Sequence, residues 1–109
     1  YRSAYRVGFI NNQLVGGCGI AAYNQSPRIC ELRKLFILPQ SRGFKLGEAL
    51  TMSCLEYARS QAYDQCYLET LTSMTAAIGL YEKLGFRFLN APLAGCPHRA
   101  CNVWMLKAL

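Results

Sequence analysis

The 109-residue chain has the length of one domain, and its 52% of hydrophobic residues can form one buried core, which excludes an intrinsically disordered chain. No apolar run reaches the roughly 20 residues that a membrane helix needs, and no stretch has the successive sections of a signal peptide. The net charge of +6, from 12 Lys+Arg against 6 Asp+Glu, favours polyanionic partners. The basic residues are scattered, however, and form no stripe with aromatic residues, which argues against a nucleic-acid interface.

The first third of the chain predicts three β-strands. Apolar runs over residues 5–10 and 14–23 flank an Asn-Asn-Gln turn and are typical of a hairpin. A turn with Pro27 follows, and a third strand is predicted over residues 29–38, ending before Pro39.

The rest of the chain predicts two helices and three further strands. Apolar residues recur at helical spacing over 45–62, with Leu46, Leu50, Cys54, Tyr57 and Ala58 on one face. A strand over 65–71 and a helix over 74–84 follow, with Gly85 at the usual place of a C-terminal glycine. The last strands are predicted over 86–89 and 100–106. The order β-β-β-α-β-α-β-β predicts a mixed α/β sheet in which the third and fourth strands are parallel.

The six cysteines do not have the pattern of a disulfide framework. Four of them lie inside apolar segments, as buried free thiols do, which favours a reducing cytoplasm: Cys18, Cys30, Cys54 and Cys66. Cys96, His98 and Cys101 form a C-x-H-x-x-C cluster whose spacing does not match common structural zinc sites, so we predict no metal site.

Two nucleotide-binding motifs can be tested and rejected. Residues 17–22 match G-x-G-x-x-A, but a turn and another strand follow in place of the helix that a dinucleotide site needs. We interpret Gly17 and Gly19 as positions where this strand packs closely against a neighbour. Residues 43–47 lack the G-K-[ST] ending of a P-loop.

The turn R-G-F-K-L-G at residues 42–47 predicts an anion site. It follows a strand at its carboxyl end and begins a helix, where backbone amides lack partners and the helix dipole is positive. Arg42 and Lys45 add full charges, so the turn suits a phosphate or pyrophosphate. We expect Lys45 to lie in the first helical turn with helical backbone angles, where its Cβ costs little.

Two stretches resemble the GNAT superfamily of N-acetyltransferases. Residues 39–47 are similar to its acetyl-CoA loop, [Q/R]-x-x-G-x-[G/A], with Arg42 first, Gly47 last and Lys45 in place of the middle glycine. Residues 77–86, A-I-G-L-Y-E-K-L-G-F, are similar to the family's A-x-x-x-Y-E-K-L-G-F. Residues 14–17 and 30–37 resemble the strands that precede the loop.

The resemblance implies a GNAT-like acyl-CoA N-acyltransferase fold, with residues 1–109 as one domain. It begins at the family's second strand, so we expect the first strand and the next two helices, which help to form the acceptor site, to be missing here. One sheet edge would then be open, and we expect either that a homodimer or another partner covers it or that an upstream segment of the protein is absent from this sequence.

The resemblance also implies a reaction, in which an amine attacks the thioester of acetyl-CoA directly, without a metal. Tyr81 is the candidate acid for the leaving thiolate, and Glu31 is the candidate general base. The expected cofactor-binding residues lie on the third strand and in the loop: Leu35, Phe36, Ile37, Arg42, Gly43, Phe44, Lys45, Leu46 and Gly47.

The acceptor is expected to be a small-molecule or peptide amine. Glu69 and His98 are the candidate substrate-binding residues, and Glu69 is also an alternative base. Met74 occupies the position where many family members have an asparagine. A catalytically inactive domain that binds CoA or regulates a partner is the alternative function.

Overall fold

The computed structural model of the chain describes residues 4–10, 13–38, 45–93 and 101–109, and within these residues it confirms the predicted order of elements. The first half contains β1 (Ala4–Ile10), β2 (Gln13–Ala22), a short 3-10 helix (Tyr23–Gln25), β3 (Ile29–Ile37) and α1 (Leu46–Ser60). The second half contains β4 (Gln65–Thr70), α2 (Thr75–Lys83), β5 (Arg87–Leu89) and β6 (Val103–Ala108). The largest difference is in the last strand, which begins three residues later than predicted. Neither helix combines the length and the hydropathy that a membrane crossing requires, as far as the described residues go.

The strands form one mixed sheet in the order β1-β2-β3-β4-β6-β5. The β1–β2 hairpin is antiparallel as predicted, although residues 11 and 12 of its turn lie outside the described residues. The pair β3–β4 is parallel, which confirms the prediction, and the other neighbours are antiparallel.

Helix α1 covers one face of the sheet through the apolar stripe that its sequence predicts. Its buried residues are Leu50, Thr51, Cys54, Leu55 and Ala58, while Leu46 and Tyr57 are partly buried. At Gly8 of β1 the helix comes so close that a Cβ would lie 2.7 Å from Leu46 Cδ1. The start of α1 is thereby fixed over the sheet row that contains Gly8, Gly16 and Ile37.

Four thiols meet in this core, one each from β2, β3, α1 and β4. Cys18, Cys30, Cys54 and Cys66 have no solvent exposure and form no disulfide, which confirms the prediction of buried free thiols. The Cys54 thiol donates to the Cys18 carbonyl at 3.4 Å, and Cys30 lies opposite Cys66 in the parallel pair. A hydrogen bond with Cys54 and burial raise the pKa of Cys18, and a hydrogen bond with Cys30 and burial raise that of Cys66. Cys18 and Cys66 therefore stay protonated and serve packing.

Helix α2 ends in a Schellman motif around the predicted glycine. Gly85 has φ +99°, its amide donates to the Glu82 carbonyl at 3.0 Å, and the Phe86 amide donates to the Tyr81 carbonyl at 2.9 Å. The Tyr81 and Phe86 rings supply the apolar contact that accompanies this motif, with centroids 5.6 Å apart. The helix end thus fixes the position of Tyr81.

The face of the sheet opposite α1 carries the glycines of the rejected nucleotide motif. A Cβ at Gly17 would lie 2.5 Å from Tyr5 Oη and 2.8 Å from Phe36 Cε1. Gly17 and Gly19 of β2 pair with Val7 and Tyr5 of β1, and the Tyr5 ring lies across both glycines. The interpretation of close packing is confirmed. Beside them β1 and β2 expose the large apolar side chains Tyr5, Val7, Phe9 and Leu14.

Candidate functional site

An opening between β3 and β4 is the main feature of the site. The two strands pair only over Ile29–Glu31 and Gln65–Tyr67, although β3 continues to Ile37 and β4 to Thr70. Beyond that point β3 pairs with β2, and β4 pairs with β6. Beyond the paired residues, backbone N–H and C=O groups on the facing edges of β3 and β4 form no hydrogen bonds with the other strand. Such groups are available to a ligand or to water.

The predicted residues Leu35, Phe36 and Ile37 lie on β3 beyond this last pairing. β3 also has a bulge here. Gly17 pairs with Phe36 and Gly19 pairs with Arg33, so an advance of two residues on β2 corresponds to an advance of three residues on β3. Bulges are frequent beside active sites because they redirect the backbone groups of a strand. The Phe36 side chain is 38% exposed on the face opposite α1.

The N-terminus of α1 differs from the prediction at Lys45. This residue is the N-cap, not part of the first turn, and has left-handed backbone angles (φ 56°, ψ 24°). The expectation of helical angles is wrong because α1 begins one residue later, at Leu46, and the N-cap residue of a helix has non-helical backbone angles. That geometry suits glycine, the residue that the family motif has there, and costs a lysine about 1 kcal/mol. The Lys45 carbonyl accepts the first helical hydrogen bond, from the Ala49 amide at 3.1 Å.

The remaining loop residues are only partly described. Leu46 and Gly47 form the first turn of α1, where their amides lack helical partners. Arg42, Gly43 and Phe44 lie outside the described residues, as does His98.

Tyr81 is a buried tyrosine on α2, with 6% of its surface exposed. Burial, and then the proximity of the Cys18 and Cys66 thiols, raise the pKa of its phenol. The group is therefore protonated throughout the physiological pH range and can donate a proton. Its neighbours place it on the face of the sheet that α1 covers.

Glu31 is the last residue of β3 that pairs with β4, and only 6% of its side chain is exposed. It forms an ion pair with Arg33, whose guanidinium donates to Glu31 Oε1 at 2.8 Å. The carboxylate lies at the start of the opening, on the face opposite α1, because it pairs with Tyr67 and alternates with the buried core residue Cys30.

Glu69 lies on the same face of β4, two residues after Tyr67. The Tyr67 hydroxyl donates to Glu69 Oε2 at 2.8 Å, and its ring contacts that of Tyr23 at 4.7 Å. Burial, and then the hydrogen bond to Glu69, raise the pKa of Tyr67. Burial and the charges of Glu69 and Glu31 raise the pKa of Cys101, so the two carboxylates and this thiol share one region.

The structure thus places the candidate acid and the candidate bases on opposite faces of the sheet. Tyr81 lies on the helical side, and Glu31 and Glu69 lie on the other side. The opening between β3 and β4 begins beyond Glu31 and Tyr67, and Cys66 on the paired part of β4 is near enough to Tyr81 to raise the pKa of its phenol. No three His, Cys, Asp or Glu side chains in the described part of the chain are grouped so that they could hold a metal.

The structure adds residues that the sequence analysis did not select. Arg33 and Tyr67 each lie two positions from a candidate carboxylate, and this strand spacing, which places side chains on one face, could have found them. Lys83 pairs with Glu48 at 2.6 Å across 35 residues, and no local pattern predicts that contact.

Comparison with known proteins gives the family. The model of the Acetyltransferase (GNAT) family matches residues 2–86. An uncharacterised N-acetyltransferase of Escherichia coli, YjgM, is 41% identical over 107 residues, which is 97% of this chain and 64% of the relative. The chain thus spans about two thirds of the length of this relative.

Solved structures agree with the sequence comparison. A GNAT-family acetyltransferase from Staphylococcus aureus superposes with a TM-score of 0.86 at 21% identity, covering 97% of this chain and 68% of the other. PaiA N-acetyltransferase from Thermoplasma acidophilum, in complex with coenzyme A, gives 0.81 at 17% identity, covering 99% and 62%. At these identities the likeness concerns the fold, and together with the family match it leads to one conclusion. The chain belongs to the GNAT family of acetyltransferases.

Proposed function

We propose that residues 1–109 act as an acetyltransferase domain that transfers an acetyl group from acetyl-CoA to an amine by direct attack. The observation that carries this proposal is the opening between β3 and β4 beyond Glu31 and Tyr67. It leaves backbone groups of one strand available to hold a ligand.

The residues on either side of the opening fit acetyl-CoA. Backbone groups of Leu35, Phe36 and Ile37 would hold the pantetheine arm, and the amides of Leu46 and Gly47 would receive the pyrophosphate at the N-terminus of α1. Lys45 and Arg42, with Gly43 and Phe44, would complete the phosphate turn. The coenzyme A in the PaiA structure is consistent with this assignment.

Two side chains then take the protons of the reaction. Glu31 accepts the proton of the attacking amine, directly or through water, which frees the nitrogen lone pair for the thioester carbonyl. Tyr81 donates its phenolic proton to the departing sulfur. Glu69, together with Tyr67, would bind the amine in the region between them, with His98, which follows β5 in the sequence. The amine class, a small molecule or a peptide, follows from the family.

Calorimetric titration with CoA, followed by mass spectrometric detection of free CoA and acetylated product over a panel of amines, tests the proposal. We expect 1:1 binding of CoA and turnover of at least one amine. If CoA binds at none of the salt concentrations tested, the proposed function is refuted. Binding without turnover of any amine would favour an inactive CoA-binding domain.

The left-handed Lys45 allows a further test through Lys45→Gly. Glycine removes the backbone strain, so the free energy of unfolding should rise by about 1 kcal/mol in urea denaturation. Loss of the side-chain charge should weaken CoA binding at low ionic strength, and this difference should shrink at high salt. If the variant binds CoA as well as the wild type at low salt, the lysine is merely tolerated at this position.

We also propose the cytoplasm as the compartment. The five cysteines that the structure describes are free, and thiols persist in a reducing environment.

A further inference from the structure

An ion pair joins the two helices of the site. Lys83 Nζ lies 2.6 Å from Glu48 Oε1, and the two side chains are 62% and 26% exposed. Glu48 belongs to the first turn of α1, and Lys83 is the last residue of α2, two residues after Tyr81. The contact therefore connects the start of α1, which follows the predicted anion-binding turn at residues 42–47, to the helix that carries the candidate acid.

The position of Glu48 creates an electrostatic conflict. Its own amide is among the first amides of α1, which lack helical partners and suit an anion. A carboxylate near the N-terminus stabilises the helix itself, but it repels phosphate groups bound at that end. The charge of Glu48 must therefore be compensated if an anion is to bind well.

Two cations act on Glu48. A hydrogen bond and the charge of Lys83 come first, then the charge of Lys45, and together they lower the pKa of Glu48. Lys45 is the N-cap of α1, three positions before Glu48, a spacing at which opposite charges on a helix attract each other. Because Glu48 already pairs with Lys83, the Lys45 side chain remains available for other anions.

We propose that Lys83 is a positioning residue for CoA binding: by pairing with Glu48 it keeps that carboxylate from repelling the phosphates and from capturing Lys45. This inference rests on the proposed function, because the phosphates are those of CoA. It adds a role for a residue that contacts neither the acetyl group nor the acceptor.

The test uses four variants of the full chain and CoA as the probe. Lys83→Gln should raise the Kd for CoA about threefold to tenfold at about 0.05 M salt, with little effect at about 0.5 M, because the unpaired carboxylate is screened there. Lys83→Arg should keep wild-type affinity. The double variant Lys83→Gln/Glu48→Gln should regain it, because the repelling charge is gone. In steady-state kinetics, Lys83→Gln should raise the KM for acetyl-CoA and leave kcat nearly unchanged.

Arg59→Gln is the matched control. It removes one positive charge from the last turn of α1, about 16 Å along the helix from Glu48 and beyond the screening length at physiological salt. It should leave CoA binding unchanged, so a loss in Lys83→Gln cannot reflect net charge alone.

The outcomes separate this inference from the proposed function. If the wild type binds CoA and Lys83→Gln binds it equally well, the inference is wrong and the function stands. If the double variant is as weak as Lys83→Gln, Lys83 acts on CoA without Glu48, which also overturns the inference. If the wild type does not bind CoA at all, the proposed function itself fails.

Discussion

Replacing Tyr81 by phenylalanine should lower kcat about 100-fold and leave the Kd for CoA nearly unchanged. The phenol is buried on the helical side of the opening, and its raised pKa keeps it protonated. Phenylalanine keeps the ring contact with Phe86 and the helix end that Gly85 closes, so the fold should be retained. The loss should therefore appear in turnover, not in binding.

Steady-state kinetics at saturating acetyl-CoA measures this effect. Tyr63→Phe is the control, because it removes the same hydroxyl from another buried tyrosine, outside the site. The raised pKa also sets the pH dependence: the proton is lost only above the ordinary tyrosine pKa of about 10, so Tyr81 should cause no loss of rate below that pH. An unchanged kcat in Tyr81→Phe would exclude Tyr81 as the acid.

Glu31→Gln should lower kcat/KM about 100-fold at neutral pH. The amide cannot take the proton of the attacking ammonium, although its oxygen can still accept a hydrogen bond from Arg33. The loss should become smaller as the pH approaches the pKa of the amine, about 10 for an alkyl amine, because the amine then arrives deprotonated. A pH–rate profile of both proteins measures this convergence.

Glu69→Gln is the matched comparison for Glu31→Gln. Both variants neutralise a carboxylate on the same face of the sheet, but we expect Glu69→Gln to act mainly on the KM of the amine. A full rate for Glu31→Gln at every pH would contradict its role. If Glu69→Gln alone shows the pH-dependent loss, Glu69 is the base.

The sequence predicts the fold well where local chemistry decides it. The apolar runs of β1 and β2, the apolar stripe of α1 and Gly85 each favour one local structure, and the described residues confirm the elements that they imply. The order of these elements then leaves few possible topologies. Element ends are less certain, because fraying and neighbouring contacts decide them.

The site is predicted less completely, for two physical reasons. Lys45 has left-handed angles, which favour glycine, and a lysine gives no local indication of them. The ion pair of Glu48 with Lys83 depends on how two helices pack, which no spacing within either helix encodes. The opening itself is an absence of pairing between β3 and β4, and the apolar pattern of both strands is the same with or without it.

The four buried thiols offer a direct measure of how the core opens. Cys18, Cys30, Cys54 and Cys66 come from four different elements and have no exposed surface, so a thiol reagent can modify them only when that part of the protein unfolds. Cys101 is partly exposed and should react first. If the core opens as one cooperative unit, the four labelling rates will be set by a common opening free energy. Bound ligand should slow all four to the same extent, which would report occupancy of the site without any acceptor amine.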